Sequence, residues 1–360
     1  MAPCVVRIAL PERDLTMKAL VYVTAGKVEL REVPEPGLVH AHDVKVRVYG
    51  TGVCGSDLKI IQGKYAIGQE GTILGHEGVG TVTEVGPAVV GLKAGDRVVI
   101  NPTQSCGLCP ACRVGHYCYC ERFEDHQVGY SLPGTFADYY VGHERYLYRI
   151  PDSMSWRTAS LIEPLGCSLN GLVKAQVAAG DSVLVLGSGP IGLLCQSIST
   201  KLARLTVATD LSPFRREFAR TISDHVIPPD ELTPSLLREV NGGRRFDIVI
   251  DAVGNQIETA LSYVAKGGRV VPLGCNDSYT AAVRPVDLID NGISVVGAVP
   301  LHDAIGPAME FAHRLPELER MVTTEVPLEH FMEAFEAAMG VDSATGEPRP
   351  LTAVKALLLS

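Results

Sequence analysis

Between Met17 and about residue 150, apolar and polar residues alternate over short runs that end in turn residues. MKALVYV, KVELREV, DVKVRVYG, GTVTEVG and DRVVIN are rich in valine, and in the third of these Val44, Val46 and Val48 fall on one side with Lys45 and Arg47 on the other. A period of two predicts strands, and so a β-rich domain. Near residue 160 the rhythm changes. DSVLVLG, LTVATD, FDIVIDAVG, GGRVVPLG and ISVVGAV read as strands, with IGLLCQSISTKLA and PFRREFARTI as helices among them. Strands alternating with helices predict a doubly wound parallel sheet covered on both faces. Beyond residue 300, AIGPAMEFAHRL and LEHFMEAFEAAM predict helices, and TAVKALLLS a closing strand placed to return to the first domain.

The organisation expected is therefore α/β: residues 1–159 plus 301–360 form one domain, and residues 160–300 a second inserted into it. A chain of 360 residues, 46% hydrophobic and 20% charged, has the composition of a two-domain globular protein. The net charge of -9, with no block of lysine or arginine, argues against a nucleic-acid partner. No apolar run reaches the length of a membrane span, and residues 1–16 do not read as a signal peptide. Of ten cysteines, five lie between Cys106 and Cys120 and the rest are scattered singly, which is not a secreted disulfide framework. A soluble, cytoplasmic protein is expected.

The run VLVLGSGPIG spaces Gly187, Gly189 and Gly192 as G-x-G-x-x-G between a predicted strand and a predicted helix. In that context the first glycine permits a tight turn, the second lets the backbone approach a pyrophosphate, and the third lets the helix pack closely. The helix N-terminus then offers N–H groups to the anion. Asp210 ends the next strand, where a carboxylate accepts from the ribose hydroxyls and repels a 2′-phosphate, favouring NAD over NADP. Arg215 and Arg216, in the following helix, are the residues that could instead accept that phosphate. The cofactor-binding set is Gly187, Gly189, Pro190, Ile191, Gly192, Asp210 and Arg215.

In the lobe 105–123, Cys106, Cys109, Cys112 and Cys120 follow C-x2-C-x2-C-x7-C, a spacing suited to a closed tetrahedral zinc site. An iron–sulfur cluster is the rival, but its fourth cysteine belongs three residues on, before a proline. Cys118 is the alternative to Cys120. A second set is dispersed: GVCGSDL holds Cys54, Ser56 and Asp57, ILGHEGVG holds His76 and Glu77, and LIEPLGC holds Glu163. Together these provide the mixed sulfur, nitrogen and oxygen donors of a catalytic zinc with one open position.

With GVCGSD, GHEGVGTVTEVG, the four-cysteine lobe, IEPLGC and VLVLGSGPIG in that order, the chain from Met17 onward resembles the zinc-dependent medium-chain dehydrogenase/reductase family, and within it the polyol (sorbitol-like) branch. The resemblance implies a GroES-like β-rich catalytic domain with an inserted Rossmann domain, and residues 1–16 as a dispensable extension. It implies two zinc ions per chain and makes Cys54 and His76 ligands of the catalytic one, with Glu77 or Glu163 as the third. In the polyol branch the acid after the histidine tends to ligate while the Glu of Glu-Pro holds the metal's water, which favours Glu77 as ligand and Glu163 as water holder. Asp57 resembles the acid that orients the ligating histidine. Ser56 resembles the first member of a proton relay, and Lys59 stands where many relatives carry a histidine. A lysine of ordinary pKa is a poor base near neutrality, which leaves water or the nicotinamide ribose hydroxyls to finish the relay. Lys59 and Tyr65 offer hydrogen-bonding groups to substrate, and GCNDSY and VVGAV resemble sequence beside the nicotinamide.

The implied reaction is oxidation of a secondary hydroxyl of a polyol, cyclitol or sugar-like molecule, by a homo-oligomer, dimer or tetramer. The alternatives are a simple secondary-alcohol or amino-alcohol (threonine-like) dehydrogenase, a zinc-free reductase, and a non-catalytic nucleotide-binding protein. Cys54, His76 and the cysteine lobe count against the zinc-free reading, and Cys54 together with Ser56 against the non-catalytic one.

Overall fold

A computed structural model describes residues 15–64, 69–299, 301, 303–341 and 347–360; residues 1–14 of the expected extension, and Tyr65, lie outside them. The chain divides into Met1–Glu163 with Val322–Ser360, and Pro164–Met321. The expected return to the first unit at residue 301 thus differs from the division seen, which falls after Met321. The physical reason lies at Gly166: with no side chain there, Leu301 and Ala304 sit directly on its backbone, and Asn170 Nδ2 donates to the Val299 carbonyl. The segment that leads into the helix Ile305–Ala312 is thereby held within the second unit.

In the first unit a seven-stranded sheet runs in the order Val322–Pro327, Lys355–Leu359, Asp43–Gly52, Glu77–Val85, Arg97–Ile100, Leu147–Arg149, with Tyr139–His143 also pairing to Asp43–Gly52. The strand Asp43–Gly52 is its centre, antiparallel to three partners. Val44, Val46 and Val48 bury their side chains with Val82, Val98, Ile100 and Tyr140, as the period of two requires. The opposite side is not simply solvated. Lys45 is buried, its ammonium 2.6 Å from Glu35 and 5.1 Å from the centre of the Tyr139 ring. A lysine stem can cover apolar surface provided its charge finds a partner. A hairpin, Thr16–Thr24 with Lys27–Pro34, stands apart from this sheet.

One core cluster of that unit joins distant parts of the chain. Leu20, Ile60, Leu74 and Phe136 pack in one cluster with Leu328, Phe335, Ala356 and Leu358. The C-terminal segment is therefore part of the interior of the first unit rather than an appendage.

The second unit holds a six-stranded parallel sheet in the order His225–Ile227, Leu205–Thr209, Ser182–Leu186, Phe246–Asp251, Val264–Pro272, Ser294–Val295. Numbered within the unit this is 3-2-1-4-5-6, the doubly wound dinucleotide-binding order. Ser182–Leu186 and Leu205–Thr209 are buried at every position, as strands covered on both faces must be. ISVVGAV, expected as a full strand, is a strand only over Ser294–Val295 among the described residues, at the outer edge of the sheet, with the Val296 N–H also donating to the Val270 carbonyl at 2.8 Å.

Phe136 is fully buried, its ring centre 6.2 Å from that of Phe335 in the C-terminal segment. Phe136→Ala should cost about 3–5 kcal/mol through lost burial and the cavity left behind. The measurement is the denaturant midpoint, and an unchanged midpoint would contradict this account of the core.

Candidate active site

The residues of GVCGSDL form a helix, Gly55–Ile61, that begins at Cys54. Cys54 is its N-cap. Asp57, fully buried, accepts from the Cys54 backbone N–H at 2.9 Å through Oδ2, closing a capping box that fixes where the thiol points. Its other oxygen, Oδ1, lies 3.3 Å from His76 Nδ1. One carboxylate thus positions both a cysteine and a histidine, leaving His76 Nε2 as the ring nitrogen available for a metal.

His76 and Glu77 lie at the start of the strand Glu77–Val85, both buried. The donor atoms of Cys54, His76 and Glu77 lie within 4.8 Å of one another. Glu163 is not one of this group. It is buried in the first turn of the helix Ile162–Lys174, and its charge acts on Lys355, as do those of Glu77 and Cys54.

Lys355 was not anticipated from the sequence. It comes from the C-terminal strand, is 2% exposed, and pairs through its ammonium with Glu77 Oε2. Burial opposes its charge, but Glu77 and then Cys54 outweigh that and raise the lysine pKa above its ordinary value. Space for the pair comes from Gly52. A Cβ there would overlap Glu77 Oε2 and lie 2.9 Å from Lys355 Cε.

Tyr130 was also missed, since it sits in the loop sequence VGYSLPG with no spacing signal. Its hydroxyl donates to Ser56 Oγ at 2.8 Å and lies 3.5 Å from His76 Nε2, with the two rings 5.1 Å apart and tilted. Burial raises the phenol pKa well above its ordinary value, so the group stays a neutral donor. Lys59 lies three residues beyond Ser56 on the same helix, half-buried.

The cysteine lobe brings Cys106, Cys109, Cys112 and Cys120 together, with all four sulfurs within 4.8 Å of one another and none in a disulfide. Cys118 is buried in the turn Tyr117–Tyr119 and is not one of the four. The N–H groups of Leu108 and Cys109 point at Cys106 Sγ and bring its pKa to about 6, whereas burial first, then Cys109, pushes Cys112 up to about 11. Thiols gathered so closely resist joint ionisation unless a cation sits among them, so this donor set fits a tetrahedral metal. The set Cys54, His76 and Glu77 fits a metal with an open position for the same reason: two anionic donors and an oriented imidazole converge on one point.

In the second unit Gly187 has φ +98°, the left-handed turn expected after the strand, and a Cβ on Gly192 would overlap the Gly187 carbonyl. Pro190 and Ile191 open the helix Pro190–Leu202, for which Gly189 is the N-cap. Asp210 accepts from the backbone N–H of Ser188 and of Ser212, each at 2.7 Å. Arg216 Nη1 donates to the carbonyls of Asp210 and Leu211, each at 2.8 Å. Arg215 lies over Gly189, its Nη1 3.8 Å from where a Cβ would stand.

Comparison with known proteins agrees with this arrangement. Residues 40–152 match the family of alcohol dehydrogenase GroES-like domains, and residues 190–314 the zinc-binding dehydrogenase family. The chain is 34% identical to D-xylulose reductase A of Aspergillus oryzae over 72% of this chain and 76% of that protein. It is 29% identical to sorbitol dehydrogenase of Bacillus subtilis over 90% of this chain and 94% of that one. Among solved structures it resembles alcohol dehydrogenase TADH from Thermus sp. ATN1, with a TM-score of 0.83 and 29% identity over 95% of this chain and 99% of that chain.

The Lys355–Glu77 pair yields a test of its own. In protein stripped of divalent metal, Lys355→Met leaves the Glu77 carboxylate buried without a counter-charge and should cost about 3–5 kcal/mol. Chemical denaturation reads the loss, and Glu77→Gln in the same background should recover part of it. No recovery would show that the charge of Glu77 is not the cause.

Proposed function

We propose, for a chain that belongs to the zinc-dependent medium-chain dehydrogenase/reductase family, that it oxidises a secondary hydroxyl of a polyol, cyclitol or sugar-like substrate to a ketone, passing hydride to NAD. The observation that carries this is the convergence of Cys54, His76 and Glu77 beside the Ser56 hydroxyl system. Similarity to D-xylulose reductase and sorbitol dehydrogenase supports the substrate class.

Cys54, His76 and Glu77 would hold one zinc, and Cys106, Cys109, Cys112 and Cys120 a second. Glu77 serves as ligand rather than Glu163 because it belongs to the converging group. Its Oε2 is paired with Lys355, which leaves the other oxygen for the metal. When bound, zinc polarises the substrate oxygen as a Lewis acid and NAD accepts the hydride. The residues do the rest. Asp57 holds His76 in one tautomer, Ser56 Oγ takes the hydroxyl proton and passes it outward, and Glu163 accepts a hydrogen bond from water or from a neighbouring hydroxyl. Lys59 serves as a polar contact on the outward path rather than as its base.

In the second unit the turn at Gly187 and Gly189 and the helix opening at Pro190 and Ile191 would take the pyrophosphate, with Gly192 holding that helix close. Asp210 disfavours a 2′-phosphate by charge, which supports NAD over NADP. Arg215 lies on the glycine turn, where it can meet the adenosine ribose or the pyrophosphate. Both proposed zinc sites need unoxidised thiolates, which agrees with a cytoplasmic location. Val286, Ile289 and Val295, exposed at the outer edge of the parallel sheet, support association into a homo-oligomer.

Elemental analysis should find about two zinc ions per chain, following the logic of one closed and one open site. Cys54→Ala should abolish NADH production from polyols while leaving one zinc bound, whereas Cys109→Ala should chiefly lower the melting temperature. A single zinc, or iron in the lobe, would overturn the assignment.

Cofactor choice has a separate check. Asp210→Ala should raise Kd for NAD and narrow its advantage over NADP. Titration of nicotinamide cofactors by fluorescence measures both, and a wild-type preference for NADP would mean that Arg215 rather than Asp210 sets the choice.

A further inference from the structure

Asp210 is tied to the glycine turn through one backbone donor. Its Oδ1 takes the Ser212 N–H two residues on, a local contact, whereas Oδ2 takes the N–H of Ser188, 22 residues away between Gly187 and Gly189. The direction of the Ser188 peptide therefore decides whether the carboxylate is held at both oxygens or at one. Side chains help to fix that peptide. The Gly187 N–H donates to the Thr209 carbonyl at 2.9 Å, and Ser188 Oγ donates to the same carbonyl at 3.3 Å. Ser188 Oγ in turn accepts from Gln196 Nε2 at 3.0 Å, and Gln196 Oε1 accepts from Ser223 Oγ at 3.0 Å. The sense of each bond follows from the last: a carbonyl only accepts, so Ser188 gives its one proton to Thr209 and receives from the amide, which turns the amide oxygen to the Ser223 hydroxyl. Ser188 and Gln196 are fully buried, and Ser223 is buried with them. Around Gln196 on the helix Pro190–Leu202, the buried residues Leu193, Leu194 and Ile198 are apolar. An amide among them is costly unless satisfied, and when satisfied it fixes the groups it binds.

We propose that Gln196 is a positioning residue for the cofactor: by fixing Ser188 it keeps the Ser188 N–H on Asp210, and so holds the carboxylate in place for the adenosine ribose before any cofactor arrives. This rests on the reading of Asp210 as the ribose acceptor, and adds to it a residue too deeply buried to touch the cofactor. Loss of the amide leaves Ser188 Oγ without its donor and frees the turn peptide to rotate. Asp210 then keeps only its local bond to Ser212, and the ordering of the carboxylate, already complete in the free protein, falls on the binding step and weakens it.

The test is calorimetric titration of the full chain with NAD and with NADP. Gln196→Met, which fills similar space without the amide, should raise Kd for NAD by on the order of fivefold, the value of one hydrogen bond. Kd for NADP should stay within about twofold, so the preference between the two narrows. General loosening of the turn would weaken both alike, because they share the pyrophosphate. In an Asp210→Ala background the same substitution should change Kd for NAD by less than about twofold, since both changes remove one interaction and their effects do not add. Ser223→Ala, at the far end of the chain of bonds, should raise Kd for NAD by about threefold, and decides the matter if the methionine variant does not fold. Thermal unfolding without cofactor checks folding. Equal weakening of NAD and NADP, a full loss that persists in Asp210→Ala, or NAD binding unchanged in the folded variants overturns the inference while the NAD assignment stands. A wild type that binds NADP more tightly than NAD overturns the role of Asp210 and the inference with it.

Discussion

The buried pair of Lys355 and Glu77 is the constraint on which the first unit's chemistry depends. Cys54, Asp57, His76 and Glu77 form a cluster rich in negative charge within a sheet-based interior, and such a cluster is costly without a cation. Lys355 is a permanent one. Its position follows from the pairing of Lys355–Leu359 with Asp43–Gly52, in which Leu357 faces Gly52 and Leu358 faces Thr51. Gly52 then omits the side chain that would block the ion pair. Strand register, a glycine and two charges are thus a single device: a slip of one residue would turn Lys355 to the other face of its strand.

That device also explains why the unit is built from two ends of the chain. The capping box at Cys54 and Asp57 is local, decided within a few residues. The counter-charge is not. It needs the C-terminal strand in the sheet, and the cluster of Leu20, Phe136, Phe335 and Leu358 is what holds it there. The inserted parallel-sheet unit has its own core of Leu184, Val207, Phe246 and Val249.

Much of this was legible in the sequence, for reasons that differ by element. The five apolar strands near the start and the strand–helix alternation later are set by periodicity, which survives without knowledge of partners. The glycine turn at Gly187 and the cysteine lobe are local in sequence, so spacing reveals them. Lys355 was hidden because TAVKALLLS reads as an ordinary closing strand, and a lone lysine in it signals an exposed edge rather than a buried cation. Tyr130 was hidden because its partners, Ser56 and His76, stand 74 and 54 residues away. The strands Tyr139–His143 and Val322–Pro327 were passed over because sheet pairing, not their short patterns, makes them strands. The second boundary fell after Met321 rather than at 301 because packing of Leu301 and Ala304 on Gly166 is a tertiary fact that no turn residue announces.

The division of the first unit has a bearing on how the protein is made. During synthesis, Cys54, His76 and Glu77 emerge well before Lys355, and residues 164–321 are translated in between. At roughly 5–20 residues per second that insertion alone occupies on the order of ten to thirty seconds. Throughout that interval a nascent chain carries these thiol and carboxylate groups without the ammonium that later pairs with Glu77, so a metal ion captured early would supply positive charge to the half-built centre before Lys355 does.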